Sequence, residues 1–168
     1  AEATTVVGTP NLPPVIAAIG NRTVNEGDIL SVQISASDPD GNSGDIRYGI
    51  TTTQPGIFIH PTTGLLRWTT GETDGGKTVS VTVTALDGGE PAATSQQTFQ
   101  ITVVDVNEAP VISQVGPQTL VPGGVLIVDV DATDSDIPVQ TLTFSLDQAP
   151  AGATIHPTTG VIQWSPQA

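Results

Sequence analysis

Ile59-His60-Pro61-Thr62-Thr63-Gly64 returns as Ile155-His156-Pro157-Thr158-Thr159-Gly160, 96 residues further on. At the same offset Pro14-Val15-Ile16 returns as Pro110-Val111-Ile112. Asp38 and Asp40 return as Asp134 and Asp136, Trp68 as Trp164, and Asn11 as Asn107. No gap is needed between these matches. A fixed period of this length means a tandem array of one domain type. It directs the search for function to the joints between copies and to what the copies do not share.

The chain has 168 residues, so one period of 96 leaves 72 for the second copy. About 100 residues can build a core of their own, whereas a little over 60 residues of a larger sandwich are marginal. Cysteine is absent, which excludes a disulfide framework and a thiol nucleophile. Methionine is absent too, so a processed or excised segment is expected. No stretch approaches the roughly 20 apolar residues of a membrane helix, and no signal peptide is present. Four basic residues against 17 acids give a net charge of −13. Nucleic acid would be repelled by such a surface. Extracellular cation binding and plain solubility both fit it.

Between turn signals, short runs alternate apolar and polar residues. Ile29 to Ala36 places Leu30, Val32, Ile34 and Ala36 on one face, and Val125 to Ala132 repeats the pattern. Val79–Ala85 and Phe99–Val103 alternate in the same way. Period two marks half-buried antiparallel strands, and the Thr and Val content supports them. Shorter candidates are 45–50, 57–59 and 65–68. Pro39-Asp40-Gly41-Asn42, Pro61-Thr62-Thr63-Gly64 and Asp87-Gly88-Gly89 are turn chemistry. No window reads as an amphipathic helix. About seven short strands per copy predict an all-β chain of tandem Ig-like antiparallel sandwiches. Residues 1–12 form an N-terminal strand and linker, 13–106 the first domain, and 107–168 a second, incomplete one. The second copy carries counterparts of the first five strands and lacks the last two.

Five motifs then matter together: Asn25-Glu26-Gly27, Asp38-Pro39-Asp40-Gly41, Gly64-Leu65-Leu66-Arg67-Trp68, Ala85-Leu86-Asp87-Gly88-Gly89 and Val104-Asp105-Val106-Asn107-Glu108-Ala109-Pro110. With them the chain resembles the cadherin-like repeats, most closely the dystroglycan-type cadherin-like repeats of large secreted bacterial surface proteins. The resemblance implies calcium at the joint between copies. It points to Glu26, to an acid after the fifth strand (Glu72, or else Asp74), to Asp105, Asn107 and Glu108 of the linker, and to Asp134 and Asp136. Elementary chemistry agrees. Calcium takes six to eight hard oxygen ligands. Two carboxylates about 4 Å apart repel by roughly 4 kcal/mol at an effective dielectric near 20. The alternative is that these acids only shape turns. Ala109 replaces the Asn that ends the cadherin linker, and Pro122 stands where the first copy has Glu26. One or two ions are therefore expected rather than a full cluster. A weaker second site is expected at Asp38, Asp40, Asn42 and Asp87.

Trp68 and Trp164 are expected to be core anchors rather than a sugar platform. His60 and His156 are expected to shape their turn. Asn21-Arg22-Thr23 is a formal glycosylation sequon. No nucleophile–base or paired-acid constellation is evident, which argues against an enzyme. The reading is an extracellular, calcium-stiffened adhesion or structural segment at a cell surface. Its partners would be other copies joined head to tail, a polysaccharide, or a cell-surface protein. One alternative is a filament subunit, in which Thr4-Thr5-Val6-Val7, the counterpart of Gln100-Ile101-Thr102-Val103, is donated into the incomplete domain of a neighbour. A domain swap, or a chain that is part of a longer protein, would also account for the missing strands. A further alternative is a carbohydrate-binding module of a secreted hydrolase.

Overall fold

The repeated hexapeptide folds the same way twice. In a computed structural model, residues 10–41, 46–121 and 123–166 are described. His60 O accepts from Gly64 N at 3.0 Å, and His60 N donates to Leu65 O at 2.9 Å. The imidazole Nδ1 accepts the Thr62 and Thr63 N–H groups at 3.4 and 3.3 Å. His156 makes the same four bonds to Gly160, Val161, Thr158 and Thr159. Both histidines thus close a turn. Gly64 and Gly160 sit at φ +69° and +73°, where a side chain is strained. A β-carbon there would also strike Ile34 O in the first copy and Val130 O in the second.

The chain divides into two units, Ala1–Val106 and Asn107–Ala168. Strands of the first are β1 (Val15–Ile16), β2 (Arg22–Asn25), β3 (Ile29–Gln33), β4 (Ala36–Ser37), β5 (Arg47–Thr51), β6 (Phe58–Ile59), β7 (Leu65–Thr69), β8 (Thr78–Leu86) and β9 (Thr94–Val104). One sheet runs β2-β9-β8-β5, another β3-β7-β6, and β1 pairs with β4. All pairs but one are antiparallel: β2 runs parallel to β9, with Arg22 opposite Ile101 and Asn25 opposite Val104. A single 3-10 turn, Glu72–Asp74, joins β7 to β8.

The expected strand 29–36 is broken. Ile34 N leaves the ladder and donates to Gly64 O at 2.9 Å, so β4 starts afresh and pairs with β1. The alternation nevertheless fills the core as read. Leu30, Val32, Leu66 and Trp68 from one sheet pack with Val24, Val79, Val81, Val83, Phe99, Ile101 and Val103 from the other. Trp68 is 2 % exposed and Leu66 fully buried, so Trp68 anchors the core.

The second unit has β10 (Val111–Ile112), β11 (Leu126–Val128), β12 (Ala132–Thr133), β13 (Thr154–Ile155) and β14 (Ile162–Trp164). These correspond to β1, β3, β4, β6 and β7. Residues at the counterpart positions of β2 and β5 are not in strands. In the first unit β2 and β5 hydrogen-bond to β9 and β8. The expected strand 125–132 likewise shortens to β11 and β12. Leu126, Val128, Ile162 and Trp164 are only half-buried, where their counterparts in the first unit are buried.

This asymmetry sets an expected outcome. Trp68→Ala should cost about 3–5 kcal/mol, as for a fully buried aromatic. Trp164→Ala should cost less than half as much, since its indole is partly open and is held by a bond from Nε1 to Ala151 O at 3.2 Å. Urea unfolding followed by fluorescence of the remaining tryptophan reads both.

Candidate metal-binding ends of the units

Glu26 follows β2, so its position is set by the β2–β9 ladder. Its N–H donates to Val104 O at 3.0 Å, extending that ladder by one bond. Thr70, 3 % exposed, clamps the loop from the other side: its Oγ1 donates to Asn25 O at 2.8 Å and Asp28 O at 2.9 Å. The loop is therefore held at both flanks, and the Glu26 side chain is 8 % exposed. Glu26 Oε1 accepts from Val106 N at 2.6 Å. Glu26 Oε2 is buried and has no hydrogen-bond partner. A buried carboxylate oxygen without a donor is costly unless something cationic or protic meets it. Asp105 Oδ1 points to the same place, because a β-carbon built on Gly75 would meet both oxygens.

The 3-10 turn separates the two acids expected there. Asp74 is 8 % exposed and fully engaged. It accepts from Gly71 N at 3.1 Å, Gln54 Nε2 at 3.0 Å and Lys77 Nζ at 3.1 Å. Burial pushes its carboxyl up. The Gly71 N–H, the Lys77 ammonium and the Gln54 amide outweigh burial and hold it below the ordinary carboxylate value. Asp74 is thus a structural acid that closes the turn. Glu72 is half-buried on the same turn.

At the other end of the first unit, Asn11 Nδ2 donates to both oxygens of Asp87 at 3.0 Å and to Pro91 O at 3.0 Å. Asp87 also accepts from Gly89 N and Ala93 N. The Ala93 N–H, helped by Gly89 and Asn11 and opposed by burial, holds its carboxyl low. Leu12 N donates to Asp40 Oδ2 at 2.8 Å, and Asp40 N donates to Asp38 Oδ1 at 3.1 Å. Asp38 Oδ2 is buried without a partner. Burial pushes the Asp38 carboxyl up, and the neighbouring Asp40 and Asp87 carboxylates add to this against the Asp40 N–H. Asn42 lies outside the described residues.

The second unit repeats this turn. Glu108 N donates to Asp136 Oδ1 and Oδ2 at 3.0 and 3.2 Å, and Asp136 N donates to Asp134 Oδ1 at 3.0 Å. Gln140, which the sequence did not single out, bridges Asn107 Oδ1 and Asp136 Oδ2 through its Nε2 at 3.0 and 2.9 Å. Ser135 Oγ donates to Glu108 Oε2 at 2.8 Å.

Sequence reasoning also missed Thr70 and Gly75. The Gly75-Gly76 pair after an acid was an available signal; nothing in the sequence marked Thr70. Asn21 Oδ1 of the sequon accepts from Gln100 N at 3.0 Å. Among the described residues no three acidic, His or Cys side chains stand already gathered for a metal, and no helix is long and apolar enough to cross a membrane.

The fold and these turns define a class: tandem Ig-like, cadherin-like sandwiches. The model of the family described as "Putative Ig domain" matches residues 13–104 and 109–168, and the chain belongs to that family. Human Protocadherin-23 is 42 % identical over 86 residues, 48 % of this chain and 3 % of that protein's length. Human CDH23 EC21-23 shares 21 % identity, with a TM-score of 0.59 over 95 % of this chain and 55 % of its own. Mouse Cadherin-23 EC22-24 shares 24 %, with a TM-score of 0.57 over 94 % and 55 %.

The engagement of Asp74 has a pH signature. Its folded value lies below the unfolded one, near 3.9. Its contribution is therefore present above about pH 4 and lost as pH falls through the folded value. Asp74→Asn should be less stable than the parent at pH 7, and the gap should narrow as pH falls below about 4. A gap that stays constant across that fall in urea melts would contradict this.

Proposed function

We propose that this chain is a non-catalytic, extracellular adhesion or structural segment whose linker is stiffened by calcium. The observation that carries this reading is Glu26: a carboxylate with one oxygen tied to Val106 N and the other buried with no donor. The donor chemistry fits a hard cation, since the oxygen converging with it, Asp105 Oδ1, is also a carboxylate oxygen. Glu26 and Asp105 would hold the ion from the first unit, with Glu72 of the 3-10 turn before Gly75 as a further candidate. Asn107 and Glu108 follow Asp105 directly along the chain, and hydrogen bonds tie them to the Asp134–Asp136 turn. Connectivity thus makes those four the candidates on the other side. Calcium there would offset the mutual repulsion of the acids and restrict the linker. The Asp38, Asp40 and Asp87 end would be the weaker site. Its Asp87 is already satisfied by an amide.

The family and the cadherin-type neighbours support an extracellular setting and self-association of copies. They do not bear on a polysaccharide or cell-surface target. Burial of Trp68 weighs against the carbohydrate-module alternative, because that ring is closed to solvent.

Calcium should bind with a dissociation constant of roughly 10⁻⁴–10⁻³ M. At about 10 mM it should then stabilise the chain by roughly 1–3 kcal/mol. Glu26→Gln and Asp105→Asn should each remove most of that gain. Scattering in calcium and in chelator should differ in maximum dimension. Identical profiles, together with flat calorimetry, would leave the acids as solvated turns.

A second reading is favoured by the half-buried row Leu126, Val128, Ile162 and Trp164. An added strand would pair at a sheet edge and lay its apolar side chains over such a row. The proposed donor, residues 4–7 of another copy, lies outside the described residues. Deleting residues 1–9 should then abolish head-to-tail assembly seen by light scattering. An unchanged assembly state would dismiss strand donation.

A further inference from the structure

Gly75 is an unusual glycine for this chain. Many of the others sit at positive φ, where the backbone demands them. Gly75 has φ −51° and ψ 139°, a conformation open to any residue. Its lack of a side chain is therefore not explained by backbone geometry. Space explains it: a β-carbon would overlap Glu26 Oε2 and lie 2.7 Å from Asp105 Oδ1, inside van der Waals contact with both.

The backbone there is not free to retreat. On one side Asp74 is fixed by Gly71, Gln54 and Lys77. On the other, Gly76 N donates to Val103 O at 3.1 Å, and Lys77 O accepts from Val103 N at 2.9 Å. Gly75 is thus clamped to the end of β9, directly before the linker that carries Asp105. Glu26 cannot easily swing away either, because Val106 N holds its Oε1. Three elements converge on one small space, and its most buried polar atom, Glu26 Oε2, has no partner.

We infer that Gly75 is a positioning residue for the cation proposed above: its bare Cα keeps the gap between Glu26 Oε2 and Asp105 Oδ1 wide enough for both oxygens to face one ion. The inference rests on the calcium reading and adds a determinant that is neither an acid nor a ligand side chain. Gly89 gives an internal comparison at the opposite end of the unit. A β-carbon there would overlap the Asn11 carboxamide, and φ is again not positive. In that place the room is filled by an amide, which satisfies Asp87. Beside Gly75 no donor among the described residues meets Glu26 Oε2.

The test compares the parent chain with Gly75→Ala and with Gly71→Ala, whose added methyl would meet nothing within 4 Å. Calorimetric titration with calcium chloride is paired with thermal melts in calcium and in chelator. Gly71→Ala should behave as the parent. Gly75→Ala should bind calcium at least tenfold more weakly, and its melting temperature should rise far less on adding calcium. Taking the calcium-minus-chelator difference removes any general cost of the methyl. A Gly75→Ala chain that loses stability equally in both conditions, with unchanged affinity, would make Gly75 a mere spacer and overturn the inference. Absence of binding by the parent itself would instead sink the calcium reading, and this inference with it. If Gly75→Ala fails to fold in chelator, melts at about 10 mM calcium decide: recovery of the parent's calcium-bound melting temperature would overturn the inference, and failure to recover it would uphold it.

Discussion

Everything in the first unit depends on β8 and β9 lying over Leu66 and Trp68. Their inward residues, Val79, Val81, Val83, Phe99, Ile101 and Val103, form the far wall of the core. Among the described residues β9 and β8 are the strands with which β2 and β5 pair. The second unit is the natural control. It has the same turn at His156, a tryptophan at the same place and the same β13–β14 pairing, and among the described residues no strands that match β8 and β9. Its apolar row is half-open and two of its strand positions stay irregular. Turns and short ladders recur in both units, while full burial of the apolar row accompanies the long β8–β9 hairpin.

The polar ends follow a different logic. They are organised by main-chain N–H groups that donate to carboxylates: Leu12 to Asp40, Glu108 to Asp136, Val106 to Glu26. Each such bond fixes where an acid points. The acids then fall into two groups. Asp74 and Asp87 are satisfied by protein donors and are structural. Glu26 and Asp38 each retain a buried oxygen without one. Charge alone does not distinguish them, because all four are buried acids in turns.

Much of the fold was legible because a 96-residue period and a two-residue alternation are both direct consequences of geometry. The sequence read the inward faces of β3, β7, β8 and β9, and the structural roles of His60 and Trp68. It missed the break at Ile34 because the interrupting partner, Gly64 O, comes from a turn 30 residues away. It missed the parallel pairing of β2, since alternation carries no direction. The acids of the candidate site stood out by type, but their separation into engaged and orphaned oxygens needed coordinates. Thr70 and Gln140 gave no chemical signal of their own, and Gly75 only that of a glycine pair after an acid. A threonine, a glutamine and a glycine become meaningful only through what lies beside them.

The parallel pairing of β2 with β9 has a mechanical consequence. β2 lies near the start of the first unit and β9 closes it, and the two run in the same direction. Tension applied to the chain on either side therefore pulls the strands oppositely along their own axes. Four register pairs, from Arg22–Ile101 to Asn25–Val104, are loaded in shear together, instead of parting one at a time as an antiparallel terminal pair would. Glu26 N to Val104 O lies at the end of that same seam. The loop that presents the orphaned carboxylate is thus part of the element that bears load, so rigidity at the linker and resistance to stretching share one set of backbone bonds.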